Sequence, residues 1–153
     1  MKLLVGASAG GHANDLDTLL THASGKWHPP AAYVTTSPTR RANLERQGLR
    51  VHLIAEADRR APLQVLRAAF GALRVVVRER PDAVVTTGGL PLVFVCVWAR
   101  ALRAKVVWVD CVSQTEVLST SGHIARRVAH LTLTQWPEVA AVTPGVEYAG
   151  ETL

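Results

Sequence analysis

A chain of 153 residues, 48 % hydrophobic and 19 % charged, has the balance of one globular domain with a real core, which excludes an intrinsically disordered chain. Its formal net charge of +5 leaves two readings, a solvated basic surface or an anionic partner; no Lys-rich tract or RNA-binding aromatic signature points to nucleic acid. Cys96 and Cys111 stand far apart without a Cys-x-x-Cys pair, so neither a disulfide framework nor a zinc site is expected, and a reducing cytosol fits.

Strand and helix signals alternate along the chain. Lys2 to Gly6 reads as a strand and His12 to Ala23 as a helix. Ala31 to Thr36 is a second strand, followed by a helix from Thr39 to Gln47 that Gly48 should stop. Arg50 to Ala55 is a third strand. Pro62 to Glu79 is a long helix, opened by proline in its first turn and closed before Pro81. Asp82 to Thr86, Lys105 to Val109 and Leu131 to Thr134 are further strands, with a helix from Pro91 to Leu102 between the first two. Ile124 to Ala129 and Glu138 to Val142 are short helices, and Val146 to Tyr148 a last short strand. Runs such as Ala83-Val84-Val85 and Val106-Val107-Trp108-Val109 are apolar on both faces. Strands buried on both sides and separated by helices predict a doubly wound parallel sheet in an α/β, Rossmann-like fold. No repeat, low-complexity tract or linker breaks the pattern, so residues 1–153 are expected to form one domain.

In such a fold ligands bind beyond the carboxyl ends of the strands. There the sequence places Gly10-Gly11-His12, Thr36-Ser37, Asp58-Arg59-Arg60, Thr87-Gly88-Gly89, Asp110 with Ser113 and Gln114, and Gln135-Trp136-Pro137-Glu138. The two Gly-Gly loops are the sharpest feature. They suit backbone N–H donation to a phosphate at a helix start, or they are tight strand-to-helix turns. Neither a P-loop nor Gly-x-Gly-x-x-Gly is present, because no Gly-Lys-Ser/Thr follows and Ser8 stands where the second glycine belongs. Arg40 and Arg41 keep one dinucleotide reading open, since they follow the second strand where a 2′-phosphate would sit. His12, at a helix start, can accept a proton from an attacking hydroxyl, bind a phosphate, or serve as a cap or surface residue. No His, Cys, Asp or Glu spacing implies a metal, and no cofactor is expected.

The helix from Pro62 to Glu79 is apolar on more than one face. Arg67, Arg74 and Arg78 share a side with Gly71, and Phe70 lies among the leucines and valines. Such a helix either lies at a membrane interface or is buried with one solvated stripe. The N-terminal apolar run is too short for a signal peptide, and the longest run, Leu90 to Ala99, is about half a spanning helix. Any membrane contact is therefore expected to be peripheral.

Ser8-Ala9-Gly10-Gly11-His12 and Arg80-Pro81-Asp82-Ala83-Val84-Val85-Thr86-Thr87-Gly88-Gly89 resemble the acceptor-side half of GT-B glycosyltransferases. Val109-Asp110-Cys111-Val112-Ser113, Leu118-Ser119-Thr120-Ser121-Gly122, Leu133-Thr134-Gln135-Trp136-Pro137-Glu138 and Tyr148-Ala149-Gly150 narrow the likeness. Together they resemble the oligosaccharide biosynthesis family of the asparagine-linked-glycosylation fourteen type, which includes bacterial capsule and exopolysaccharide transferase subunits. The first half of the lipid II-forming N-acetylglucosaminyltransferase is similar.

The resemblance implies a hexosyltransferase subunit, active with a nucleotide-sugar-binding partner subunit as a hetero-oligomer. It would use a UDP-N-acetylglucosamine-type donor and a lipid-diphosphate-linked sugar acceptor at the inner face of the plasma membrane. Ser8, Gly10, Gly11, Thr87, Gly88, Gly89, Asp110 and Ser113 would bind the acceptor and its diphosphate. His12 would be the base or a diphosphate ligand. Arg67, Phe70, Arg74 and Arg78 would meet the membrane surface. Cys111 stands where bacterial relatives often carry serine, which argues against a nucleophilic role for its thiol. The rival readings are a non-catalytic module that recruits a partner enzyme to the membrane, and an NADP-binding oxidoreductase.

Overall fold

A computed structural model of the chain describes residues 1–150. Its elements run β1 (Leu3–Ala7), α1 (Gly11–Ala23), β2 (Ala32–Thr35), α2 (Pro38–Arg46), β3 (Val51–Leu53), α3 (Pro62–Glu79) and β4 (Ala83–Thr86). They continue with α4 (Leu90–Ala101), β5 (Lys105–Val109), α5 (Thr120–Ala125), β6 (Leu131–Thr134), α6 (Pro137–Val142) and β7 (Glu147–Tyr148). The strands form one parallel sheet in the order β3-β2-β1-β4-β5-β6-β7. The expected doubly wound α/β architecture is therefore observed. The end of the expected domain, 151–153, lies outside the described residues.

Successive side chains of a strand point to opposite faces, and both faces here are covered. Leu4, Ala32, Val34, Val84, Val106 and Trp108 pack into a core with α3, α4 and the end of α5. Leu3, Val5, Ala7 and Val85 pack against α1 through Ala13 and Leu16. The indole of Trp98 on α4 donates to the Ala69 carbonyl of α3 (3.0 Å), tying the two helices of the larger core together. Cys96 lies in that core, where burial pushes its thiol up to about 12. Both cysteines are free.

Three elements differ by more than a residue from the expectation. β2 is four residues long and β3 three, not six each. α5 runs from Thr120 to Ala125 instead of Ile124 to Ala129; it starts early because Ser119 caps it, the Ser119 hydroxyl accepting the Gly122 N–H (2.8 Å). Gly48, at φ 79°, follows the end of α2 as expected.

Glu79 ends α3 at the amino edge of the sheet, opposite the ligand rim. Its buried carboxylate accepts from His52 Nε2 (2.7 Å) and faces Lys2 Nζ (3.1 Å) and Arg50 (3.5 Å). Burial pushes this carboxyl upward, but the hydrogen bonds and charges of His52 and Lys2 outweigh it and hold the group below its ordinary value. A lowered native pKa adds stability above the unfolded carboxylate range, and that stability is lost as pH falls through the native value. Glu79→Gln is expected to cost about 1–3 kcal/mol at pH 7, in the range for hydrogen bonds to a charged group. Thermal melts from pH 7 down to pH 3 check this: the gap between wild type and variant should close in acid, and a gap that is constant with pH contradicts it.

Candidate functional site

β1 and β4 are neighbours, and the chain winds away from them in opposite directions. The crevice beyond their carboxyl ends is the topological switch point, the usual ligand position of such sheets. The two Gly-Gly loops follow these two strands. They are bonded to each other: Ser8 N–H donates to the Gly88 carbonyl (3.2 Å) and Thr87 N–H to the Gly6 carbonyl (3.3 Å).

His12, in the first turn of α1, spans the two loops. Its Nδ1 lies 3.0 Å from the Thr87 carbonyl, and the Thr87 hydroxyl donates back to the His12 carbonyl at 2.5 Å. A carbonyl only accepts, so Nδ1 carries the proton and, in the neutral ring, Nε2 keeps its lone pair. The alternative of a helix cap is excluded, because Gly10 is the N-cap residue of α1 and no side chain bonds there. A Cβ added to Gly88 would stand 2.7 Å from His12 Nδ1. One added to Gly89 would stand 2.3 Å from the Ser8 hydroxyl oxygen; both glycines have positive φ, 124° and 102°. The second loop is thus glycine for a reason internal to the fold: it lets β4 close against His12 and Ser8. Gly11 is different. Its φ is ordinary for a side chain, and a Cβ there would meet nothing within 4 Å.

A pocket of about 260 Å³ opens beside these loops, with His12, Gly89, Cys111 and Ser113 in its lining. Its far wall is the segment after β5. Asp15, buried on α1, accepts from Val112 N–H (3.2 Å) and Gln135 Nε2 (3.5 Å). Gln135 Nε2 also donates to the Asp110 carbonyl (3.0 Å), and the Trp136 indole donates to the Val112 carbonyl (2.6 Å). The Gln-Trp pair after β6 therefore clamps the Cys111–Ser113 wall rather than touching the pocket.

Asp110 corrects an expectation. Its carboxylate is 1 % exposed and accepts from the Trp108 indole (3.1 Å), the Ser119 N–H (2.7 Å) and the Ser119 hydroxyl (2.5 Å). It holds the start of α5, and both oxygens accept from donors inside the fold, away from the pocket. Ser113 does line the pocket, with its hydroxyl donating to Cys111 Sγ (3.2 Å). Of the expected loop residues, Gly89 lines the pocket, whereas Gly10 lines the groove between α1 and α2. Ser8, Thr87 and Gly88 are buried where the two loops join, and the Thr87 hydroxyl is spent on the His12 carbonyl, so its side chain is not open to a ligand. Gly11 follows the first loop at the start of α1. Arg59, expected on the rim with Asp58 and Arg60, lines the pocket, and so do three residues that sequence reading did not place there: Ser119, Thr120 and Ser121. The Ser119 cap was the available signal for these three, because it fixes the start of α5 beside the rim.

Arg40 and Arg41 do not present free cations after β2. Arg40 makes a bidentate pair with Asp17 (2.5 and 2.7 Å), and Arg41 pairs with Glu45 (2.8 Å). The Arg40–Asp17 pair lines an open groove of about 820 Å³ between α1 and α2. There burial raises the Tyr33 phenol above its ordinary value; the Asp17 carboxylate adds to this and Arg40 opposes it. No group of three or more possible metal ligands occurs among the described residues.

The exposed stripe of α3 carries Leu63, Leu66, Phe70 and Val77 at 63, 65, 62 and 47 % exposure, interleaved with exposed Arg67, Arg74 and Arg78. Gly71 lies at its edge, half-buried against Ile54. α3 starts at the carboxyl edge of the sheet, so Leu63 and Leu66 stand on the ligand side. No helix among the described residues is long and apolar enough to cross a membrane.

Comparison with known proteins agrees with this architecture. The chain is 23 % identical to the UDP-N-acetylglucosamine transferase subunit ALG14 of Yarrowia lipolytica (strain CLIB 122 / E 150), over 97 % of this chain and 80 % of that protein. It is also 23 % identical to the subunit of the same name from Mus musculus, over 98 % of this chain and 82 % of that protein. Among solved structures it superposes on MurG of Acinetobacter baumannii with a TM-score of 0.76 at 20 % identity, covering 99 % of this chain and 45 % of that one. The chain thus spans less than half of that solved structure. A family model described as "Oligosaccharide biosynthesis protein Alg14 like" matches residues 3–152. The chain belongs to this Alg14-like family of oligosaccharide biosynthesis proteins, and its sheet is a Rossmann-like half of the GT-B glycosyltransferase architecture.

Proposed function

We propose that this chain is the acceptor-binding, membrane-associated subunit of a two-component glycosyltransferase. The donor is a UDP-sugar of the UDP-N-acetylglucosamine type, held by a separate partner subunit, and the acceptor is a lipid-diphosphate-linked sugar. The observation that carries the reading is the His12–Thr87 lock between two Gly-Gly loops at the switch point. It leaves an oriented imidazole beside backbone suited to a phosphate.

In the reaction the acceptor hydroxyl oxygen forms a bond to the anomeric carbon of the donor sugar. The bond from that carbon to the diphosphate oxygen breaks, and its electron pair leaves with UDP. The hydroxyl proton passes to Nε2 of His12, while Nδ1–H on the Thr87 carbonyl holds the ring in place. Stabilising the leaving diphosphate is the partner's task. The basic apolar stripe of α3 brings the cleft to a cytoplasmic membrane face where the lipid-linked acceptor lies. A purely recruiting module would use the same stripe but would have no need of an oriented imidazole. The oxidoreductase reading loses its support with the pairing of Arg40 and Arg41.

Gly11 supplies the test. Gly11→Ala has room for its methyl and removes a flexible residue from a helix start, so its melting temperature should equal or exceed wild type. If acceptor backbone contact is the reason for glycine, transfer should fall at least about tenfold, the worth of a displaced charge-assisted hydrogen bond. The assay co-expresses the chain with candidate partner subunits and measures transfer from UDP-N-acetylglucosamine to a lipid-diphosphate acceptor. Full activity of Gly11→Ala, or robust turnover by the purified chain without any partner, contradicts the reading.

A further inference from the structure

We propose that Arg59 is the cationic anchor of a diphosphate site, together with the Thr120 and Ser121 hydroxyls in the pocket that holds His12. The inference deepens the acceptor-subunit reading and rests on it. Four chain segments converge on this pocket of about 260 Å³: the start of α1, the β3–α3 loop, the β4–α4 loop and the β5–α5 segment. A diphosphate brought there carries several negative charges. Backbone N–H groups offset them only partly.

Among the 17 Lys and Arg residues, Arg59 alone lines the pocket. Its guanidinium has no hydrogen bond or ion pair among the described residues, in contrast to Arg40, Arg41 and Arg50, which all pair with carboxylates. Asp58 makes no salt bridge with it; the Asp58 carboxylate instead accepts the Arg60 N–H (2.9 Å). In the β5–α5 segment Ser119 is spent as the α5 cap and on Asp110. The next two residues, Thr120 and Ser121, also line the pocket and bring hydroxyl donors to it. A guanidinium fork together with two hydroxyls suits the oxygens of two linked phosphoryl groups.

Diphosphate chemistry has two possible sources, an isoprenoid diphosphate or a nucleoside diphosphate, and the test separates them. Calorimetry on the purified chain, in EDTA, uses inorganic pyrophosphate, geranyl diphosphate and UDP as probes. Pyrophosphate and geranyl diphosphate should bind, with UDP weaker than both. Arg59→Gln should weaken the first two by about 10- to 100-fold, the range for a hydrogen bond to a charged group. Arg59→Lys should recover part of the loss, and Arg60→Gln, in the same loop, should bind like wild type. Circular dichroism confirms folding, which an exposed loop substitution should leave intact.

If Arg59→Gln binds both probes like wild type while His12→Ala or Gly11→Ala loses them, the Arg59 anchor is overturned and the acceptor reading stands. If UDP binds more tightly than geranyl diphosphate, the site serves a nucleotide and the isoprenoid assignment is overturned. If wild type binds none of the probes, the anchor and the acceptor reading fall together.

Discussion

His12→Ala, assembled with the donor-binding partner subunit, is expected to transfer sugar about 10²–10⁴-fold more slowly than wild type, the usual contribution of a positioned general base. Binding of the complex to lipid vesicles should stay near the wild-type level. The expectation rests on orientation more than on proximity. Nδ1–H is held by the Thr87 carbonyl, so Nε2 is the free basic atom and its direction is set by the β4 loop. Gly88 leaves the space that the ring occupies, because a side chain there would strike Nδ1 and Cε1. Removing the ring also leaves the Thr87 carbonyl without this donor, so part of any loss could be structural. His12→Gln separates the two causes: its amide N–H can still donate, but it has no basic nitrogen. Initial rates at saturating donor, with melting temperatures of both variants, decide the matter. If both variants are slow and stably folded, His12 is the base. Near-wild-type rates in either would make it a structural strut.

The parts of this site that local chemistry dictates could be read from sequence, and the parts set by side-chain direction could not. α3 ends where the Arg80-Pro81 step and the apolar pattern require, and β5 and β6 coincide with their β-branched runs. The Gly-Gly loops fell at the crevice because any parallel sheet with these strand ends puts them there. Asp110 shows the limit. Its position at a strand end predicts the rim, but it is two residues from Trp108 and shares that residue's inward face, where indole and Ser119 donors wait for it. Gln135 and Trp136 are similar: a distinctive motif whose work is to clamp the Val112 segment from behind. Arg59 was visible as one member of a charged triplet. Only the fold shows that Arg59 lines the pocket while the Asp58 side chain accepts the backbone N–H of Arg60.

Replacing Arg67, Arg74 and Arg78 together by glutamine is expected to weaken binding to anionic vesicles by about two orders of magnitude. Each basic residue at such a surface contributes about 1 kcal/mol, and about 1.4 kcal/mol is a factor of ten. None of the three has an ion-pair partner among the described residues, so their charge is not already offset within the fold. They alternate with Leu63, Leu66, Phe70 and Val77, side chains that a solvated helix face does not need and that an interfacial helix buries in the headgroup boundary. Two terms then act on the same stripe, and salt separates them. At about 0.1 M ionic strength the screening length is about 10 Å, so the arginine term should fade as salt rises while the apolar term persists. The triple variant should therefore resemble wild type at high salt and on neutral vesicles, and Phe70→Ser should weaken binding under both conditions. Glutamine keeps helix propensity, and the replaced side chains are exposed, so the melting temperature should hardly move. Co-sedimentation across a salt series makes the measurement. If wild type ignores anionic vesicles, or the triple variant binds them equally well, the stripe is covered by protein and the membrane is reached through the partner subunit.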